Sequence, residues 1–519
     1  MMLSEQFCRN KKLFVFAMIS VFVWGLFAHS YGFLHSNFSG DSLSEFCGEM
    51  GSNAWKIQLG RYVVPTYKTV FRTDMTLPWM VGLLSLVWIG LAVCMIVRIF
   101  GLESPMLIFL TAGIFTTNTT VSATVASYMH DYDCSMFALM CATAAVYLWK
   151  EYRWGVPAGA VLTALSMGIY QSYVSVTVVL VMFVCILELL NEAGFRVVMC
   201  SGLKAIAMLL LGGAVYYAGM HLVLGMTGIA MHSGGTNSLD AVMVLTPRSI
   251  LSLTYRAYLD CLHRLLHADS PYPGWMIQGF TVVQILVVAA AFVTGLWNKR
   301  VRLPEKMLCL VLVALLPFGM HLIYVLTSGI VHDLMVYAIW LFYLLVLLMA
   351  DWLAKYVRNH SCADRGAELP RWLCAGMIFV ILYGNVQTSN ALYLKKDMEQ
   401  DAYLALMNRI VYRMETVDDY EVGVTPVVFV GSHQLLNQVI PGYEEYRGIT
   451  GMDSSVVANT QEDYRLRTYF QTVMNYPVNI PGSDVFQQMR EDSRVAEMPA
   501  YPDNGSVAVI DGILVVKLG

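Results

Sequence analysis

The 519-residue chain is 57% hydrophobic and only 13% charged, with a net charge of −4, whereas a soluble globular domain carries about 25% charged residues. This composition excludes a soluble globular protein and indicates a polytopic membrane protein. Dense basic segments are missing, so nucleic acid is not expected as a partner. P-loop and G-x-S-x-G motifs are missing as well, which argues against an ATP-driven pump and a serine hydrolase.

Apolar runs of roughly 17–25 residues, the length needed to cross a bilayer, recur through residues 1–394. The first follows Arg9, Lys11 and Lys12 and continues to about Leu34. A cleaved signal peptide has an apolar core of only roughly 7–15 residues, so we expect an uncleaved helix. Further spans are predicted at about 77–99, 105–126, 134–150, 155–174, 175–191, 203–225, 277–297, 306–327, 333–354 and 371–391. The total is about eleven transmembrane helices, or ten to twelve if residues 155–191 divide differently.

Lys and Arg in short loops mark the cytoplasmic side of a membrane protein. Alternate counting of the spans places all the basic loops on the side of the N-terminus, which is therefore predicted to be cytoplasmic. These loops are residues 150–153, 297–306 and 355–360, with Arg98 and the segment 196–204. The polar loops 35–76, 127–133, 226–276 and 328–332 then face outward.

Residues 395–519 differ in character from the preceding spans. They contain 10 Lys and Arg against 18 Asp and Glu, a net charge of −8. The stretch KKDMEQDAYLALMNRIVYRME has helical spacing, and TPVVFVG and SVAVIDGILVVKLG are β-branched runs typical of strands. We therefore predict an all-α polytopic membrane domain (1–394) followed by a small, acidic, extracytoplasmic α/β domain (395–519).

The first loop, defined as residues 35–76, places acids before bases. Asp41 is a candidate general base, with Glu45 near it. Arg61 is suited to a bidentate grip on a phosphate, and Lys56 precedes it. The alternative is a solvated loop whose charges only keep it out of lipid.

The short segment YMHDYD (128–133) carries Asp131 and Asp133, two acids spaced to chelate a divalent cation or to bind sugar hydroxyls. The alternative is that the segment marks no more than the end of a span, with Tyr128 and Tyr132 as interfacial aromatic residues. His130 is expected to be structural.

Other polar side chains fall at predicted outer span ends. Tyr170 and Gln171 either line a cavity or bind another helix. His332 and Asp333 either line the site or lie at the water boundary. The loop 226–276 is a lid or a helix lying on the membrane. A disulfide among Cys47, Cys134 and Cys261 is possible, but the sequence does not pair them.

Several motifs occur together in one order over about residues 15–410. They are Asp41 after the first span, LGRYVVP (59–65), SYMHDYDCSMFALMCATAAVYLW (127–149), GIYQSYVSVTVVLVMF (168–183) and NALYLKKDMEQDAYLALMNRI (390–410). This set resembles the Gtr-type, serotype-converting O-antigen glucosyltransferases of the GT-C superfamily.

The resemblance implies an inverting glycosyltransferase in the bacterial cytoplasmic membrane. Its donor would be a polyprenyl-phosphate-linked sugar, and its acceptor a surface glycan such as the O-antigen of lipopolysaccharide. The transferred group would be a hexosyl group, expected to be glucosyl. Asp41 would be the base; the family often has two adjacent acids there, and because Ser42 follows Asp41, Glu45 is the alternative.

The implied donor site lies at the outer span ends, against the lipid bilayer that holds the polyprenyl tail. Its expected residues are Lys56, Arg61, Tyr128, Asp131, Asp133, Tyr170, Gln171, His332 and Asp333. A divalent cation, Mg²⁺ or Mn²⁺, on Asp131 and Asp133 is a possible addition.

Two other classes of function fit the composition. A transporter or flippase would place polar groups near the bilayer midplane and often shows two similar halves, whereas here the acids lie at span ends. A non-catalytic protein of glycan assembly would use the C-terminal domain to bind partners. A glycan polymerase or ligase is a closer variant of the transferase hypothesis.

Overall fold

The structure is a computed structural model that describes residues 11–35, 42–43, 51–73, 75–232, 246–360, 368–431, 449 and 463–518. Helices dominate up to residue 415. In chain order they are α1 (Lys11–Leu34), α2 (Gly51–Gln58), α3 (Val63–Phe71), α4 (Pro78–Phe100), α5 (Pro105–Thr117), α6 (Thr119–Ser127), α7 (Tyr132–Glu151), α8 (Gly155–Ile169), α9 (Val174–Leu190), α10 (Phe195–Thr227), α11 (Pro247–Leu266), α12 (Gly274–Trp297), α13 (Leu303–Met320), α14 (Leu322–Leu326), α15 (Leu341–His360) and α16 (Leu369–Glu415).

Within the described residues, ten helical segments are long and apolar enough to cross a membrane. The shorter apolar helix α8 adds an eleventh apolar segment, so the prediction of a polytopic all-α membrane protein is confirmed.

The local sequence determines where helices are interrupted. Asn118 separates α5 from α6 because its side chain accepts from Val121 N and donates to Ile114 O, which replaces helical backbone bonds.

Some span boundaries differ from the prediction. The nearly continuous run 155–191 breaks at Tyr170, where the backbone is extended and a 3₁₀ turn (Gln171–Tyr173) leads into α9. The predicted span 306–327 ends at Met320, because His321 leaves helical geometry before α14 begins. Two 3₁₀ turns, Asp333–Met335 and Tyr337–Trp340, precede α15.

The basic loops lie at one end of the bundle, called here the basic end. Polar contacts of 2.9–3.7 Å link neighbouring helix ends and loops there. The pairs are Arg98 with Glu151, Arg300 with Glu192, Arg371 with Asp351, Trp352 with Asn191, and the backbone N–H of Phe195 with Glu305. This arrangement agrees with the alternate counting of the spans. The opposite end, called the site end, carries the turns Met129–Asp131 and Gln171–Tyr173.

Helix α16 continues without a break for 47 residues, so the predicted domain boundary between residues 394 and 395 falls inside it. From Tyr403 onward its apolar side chains belong to the core of the C-terminal domain. The remaining elements of that domain are β1 (Val427–Val430), α17 (Asp463–Thr468), α18 (Ser483–Glu491), α19 (Ser493–Glu497), β2 (Val507–Ile510) and β3 (Ile513–Lys517).

The three strands form one sheet in the order β1-β3-β2, with β1 parallel to β3 and β2 antiparallel to β3. The hairpin turn is Asp511-Gly512, and both residues have positive φ (50° and 76°), as a two-residue turn between twisted strands requires. The predicted strands and the α/β character of this domain are therefore observed.

Candidate active site at the end of the helix bundle

The first loop folds into two short helices at the site end. Helix α2 carries Lys56, and α3 carries Lys68, with Arg72 directly after it. Lys68 and Arg72 are four residues apart, so they project from one face of the helix. Gly60 joins the two helices with φ +74°, a conformation that favours glycine.

A buried cluster of charged side chains joins these helices to the segment before α7. Lys56 Nζ contacts Asp131 Oδ2, and Lys68 Nζ lies 3.1 Å from Asp131 Oδ1. Arg72 Nε donates to Asp133 Oδ2 at 2.9 Å. Buried ion pairs add little net stability, since desolvation offsets their attraction. A buried group of five charges at the end of a membrane bundle is therefore a candidate functional site.

Arg72 fixes the start of α7. Its guanidinium also donates to the carbonyls of His130 and Met75. Burial would lower the pKa of Arg72, but the Asp133 carboxylate raises it above its usual value. Asp133 lies in the first turn of α7, where a negative charge is favourable.

Asp131 and Asp133 thus face lysine and arginine side chains. Among the residues that the structure describes, no group of three or more His, Cys, Asp or Glu is arranged to hold a metal ion. A bound Mg²⁺ or Mn²⁺ on this pair stays a prediction from the sequence. The ring of His130 lies 5.5 Å from that of Tyr128, which puts Tyr128 beside the cluster.

Arg61 differs from the other basic residues of the first loop. Its guanidinium lies 4.6 Å from the ring centroid of Tyr170, a cation–π contact. Within the described part of the chain it forms no ion pair, and its buried Nε has no hydrogen-bond partner. The Arg61 backbone N–H donates to the Lys56 carbonyl at 2.8 Å. The Arg61 guanidinium therefore lies next to the cluster, and no carboxylate of the described residues pairs with it.

Gln171 holds this loop in place. Its Nε2 donates to the Leu59 carbonyl at 2.9 Å and to Tyr216 Oη at 3.0 Å. Tyr216 belongs to α10, so Gln171 ties the first loop to a helix. Of the two predicted roles for Gln171, contact with another helix is the one observed.

The segment before α15 also reaches the site end. The Asp333 carbonyl accepts from Thr120 Oγ1 at 2.7 Å, and the ring centroids of Tyr173 and Tyr337 are 5.7 Å apart. Asp333 therefore joins the predicted site segments, whereas the side chain of His332 is exposed to solvent.

The Asp333 carboxylate accepts from Arg264 of α11 at 2.7 Å, and Arg264 also donates to Asp260 at 2.7 Å. Asp260 accepts a further bond from His321 Nε2 at 2.7 Å. Burial opposes ionisation of Asp260, but these two partners lower its pKa to about 2. The loop 226–276 thus contains a helix docked on the site end by an ionic network. Its residues 233–245 lie outside the described part.

Asp41 and Glu45, the two candidates for the base, lie outside the described residues. Their neighbour Leu43 is described and fully buried. Cys134 and Cys261 are buried free thiols, so neither forms a disulfide, and Cys47 lies outside the described part.

Sequence reasoning gave no role to Lys68, Arg72, Asp260, Arg264 and His321. The four-residue spacing of Lys68 with Arg72 and of Asp260 with Arg264 was the available signal, because it places each pair on one helix face. Their partners lie far away in the chain and could not be read from spacing.

These features define a multi-pass membrane protein with a charged site where several helices end. A profile of the family described as "Glucosyl transferase GtrII" matches residues 30–361, more than half of the chain. The chain belongs to the GtrII glucosyl transferase family, and the resemblance inferred from the motifs is confirmed. No curated protein and no solved structure gives a significant match. Family membership makes the protein a glucosyltransferase and disfavours the transporter and scaffold hypotheses.

Proposed function

We propose that this glucosyltransferase moves a hexosyl group, expected to be glucosyl, from a polyprenyl-phosphate sugar to a surface glycan such as the O-antigen of lipopolysaccharide. The reaction takes place at the outer face of the bacterial cytoplasmic membrane. The observation that carries the proposal is the buried charged cluster of Lys56, Lys68, Arg72, Asp131 and Asp133 at the site end.

The basic loops support the proposed side of the membrane. Lys and Arg in short loops are retained in the cytoplasm, and the basic end collects these loops, among them Arg98, Arg300 and Arg371. The site end and the C-terminal domain are then extracytoplasmic, and the N-terminus is cytoplasmic.

A lipid-linked donor needs an apolar entrance beside a polar site. A cavity of about 350 Å³ lies where α3 ends and α4 begins. Its lining is mainly apolar, with Arg72 as the charged member; the lining residues are Thr69, Val70, Phe71, Arg72, Thr73, Met75, Leu77, Met80 and Val81. Arg72 also contacts Asp133 of the cluster, so the cavity adjoins the cluster. This suits a polyprenyl chain whose phosphate reaches the charged residues.

The chemical step is a single displacement. Asp41, or Glu45 in its place, removes the proton of the acceptor hydroxyl while that oxygen attacks the anomeric carbon. The bond from this carbon to the phosphate oxygen breaks, and its electron pair leaves on the polyprenyl phosphate. Attack from the opposite face inverts the configuration. Arg61 and Lys56 stabilise the charge of the leaving phosphate.

The proposal is tested by mass spectrometry of surface glycans from host cells carrying the intact gene, Asp41→Asn or Glu45→Gln. We expect Asp41→Asn to lose one hexose per glycan repeat while the protein stays in the membrane. The matched control is Asp419→Asn, which changes an exposed acid of the C-terminal domain and should leave the glycan intact. Unchanged glycans in both first-loop variants would refute the assignment of the base.

A further inference from the structure

A groove on the surface of the bundle lies between α1 and α4. It is a cavity of about 490 Å³, and its lining includes Lys11, Val15 and Ile19 of α1 with Leu91 and Cys94 of α4. Pockets that hold small molecules in proteins typically have a volume of about 300–1,000 Å³. The groove is therefore large enough to hold part of a ligand.

The groove lies at the basic end. Lys11 is the first residue of α1, and Arg98 of the basic end lies in the last turn of α4. Near the other end of α1, the ring centroids of Phe33 and Tyr132 are 6.2 Å apart, so that end reaches the site end. Phe33 follows Lys11 by 22 residues, which is about 33 Å along a helix. The groove is therefore far from the candidate active site.

The α1 side of the groove combines one cation with apolar side chains. Lys11, Val15 and Ile19 follow one another at intervals of four residues, so they lie along one face of the helix. Val15 is 50% and Ile19 56% exposed, so the groove is open to the surrounding lipid. Lys11 is exposed as well, and no carboxylate is among the residues that line the groove.

Close packing of α1 on α4 fixes the floor of the groove. Cys94 Sγ donates to the Phe14 carbonyl at 3.6 Å. A Cβ added at Gly90 would lie 2.4 Å from Met18 Sδ, so the glycine allows Met18 to pack directly on α4. Because both walls are helices in contact, the groove is preformed, and a ligand would need little reorganisation of the protein to bind.

We infer that this groove binds an anionic glycerophospholipid, with one acyl chain along Val15 and Ile19 and the phosphate on Lys11. Basic pockets between transmembrane helices bind anionic lipid head groups. A lysine stem lies along apolar surface while its ammonium reaches the head-group level. The apolar side chains accept any acyl chain, and the cation selects a negative head group. The polyprenyl-phosphate donor has similar chemistry, but its sugar is needed at the site end.

Native mass spectrometry of the full-length protein in detergent tests the binding, by titration with phosphatidylglycerol or phosphatidylcholine. One lysine near a membrane contributes about a factor of 5 in affinity for anionic lipid. We therefore expect the parent to bind one phosphatidylglycerol roughly 5-fold more tightly than phosphatidylcholine, and Lys11→Gln to lose this preference. Lys204→Gln changes another exposed lysine of an apolar helix and should bind both lipids as the parent does.

A second pair of variants tests the apolar part of the groove. Val15→Trp fills the groove and should weaken the binding of both lipids. Val23→Trp is the matched control, because Val23 is also exposed on α1 but does not line the groove, and it should bind as the parent does. Equal weakening by the two tryptophan variants would overturn the proposal.

Three further results would overturn it. The first is equal affinity of the parent for the two lipids, or a preference that persists in Lys11→Gln. The second is displacement of phosphatidylglycerol by glycerol 3-phosphate, which would show that the phosphate binds without the groove. The third is displacement by a tenfold lower concentration of undecaprenyl phosphate, which would assign the groove to the donor lipid. Failure of both competitors at equal concentration supports a phospholipid site.

Discussion

The ion pair of Arg72 with Asp133 supports a prediction that can be worked from the geometry. Arg72 donates to Asp133 at 2.9 Å and to three backbone carbonyls, and the Asp133 side chain is 0% exposed. Arg72→Met would leave this carboxylate buried without its partner. Removal of one member of a buried pair typically lowers the free energy of unfolding by about 3–5 kcal/mol.

We expect Arg72→Met and Asp133→Leu each to be destabilised by about that amount, and the double variant to be less destabilised than the sum of the two. The assay is thermal or denaturant unfolding of the detergent-purified protein. Arg494→Met is the control, because the partners of Arg494, Asp492 and Asp511, form a surface group, and no measurable change is expected. Additive single effects, or single effects below about 1 kcal/mol, would refute the coupling.

Three further predictions concern the site end. Arg61→Ala should reduce kcat/KM for the donor roughly 10-fold or more, because the lost interaction is with the phosphate. Arg61→Lys should stay partly active. A kcat/KM for Arg61→Ala equal to that of the parent would contradict this prediction. Gly60→Ala should lower both the stability and the activity of the protein. Gly60 has φ +74°, and an added Cβ would lie 2.5 Å from Tyr216 Oη. Burial and neighbouring negative charge raise the pKa of Asp269 from 3.8 to about 6. Its protonated form is favoured in the folded state, so stability should fall as pH rises through this interval, and Asp269→Asn should flatten that dependence in unfolding measured from pH 4 to pH 7.

Much of the fold could be predicted because the bilayer and the backbone impose visible patterns. Each span needs a long apolar run, although the break at Asn118 inside the predicted span 105–126 was not predicted. The strand β3 was found because β-branched residues follow the turn residues Asp511 and Gly512. The predicted domain boundary after residue 394 lies inside α16, since nothing in a local pattern tells where a helix that leaves the membrane stops.

The site was only partly predictable. Asp131 and Gln171 stood out because polar residues next to apolar runs are conspicuous. The basic partners of the two acids could not be identified from the sequence, because Arg72 and Asp133 are 61 residues apart and meet only through packing of the bundle.

Transfer by purified protein reconstituted in lipid tests the central claim most directly. The donor would be a polyprenyl phosphate bearing labelled glucose, the acceptor an isolated O-antigen glycan, and the anomeric configuration of the product would be read by NMR. We predict transfer with inversion, and loss of transfer in Asp41→Asn. Transfer from a soluble nucleotide sugar alone, or a product that retains the donor configuration, would contradict the proposed reaction.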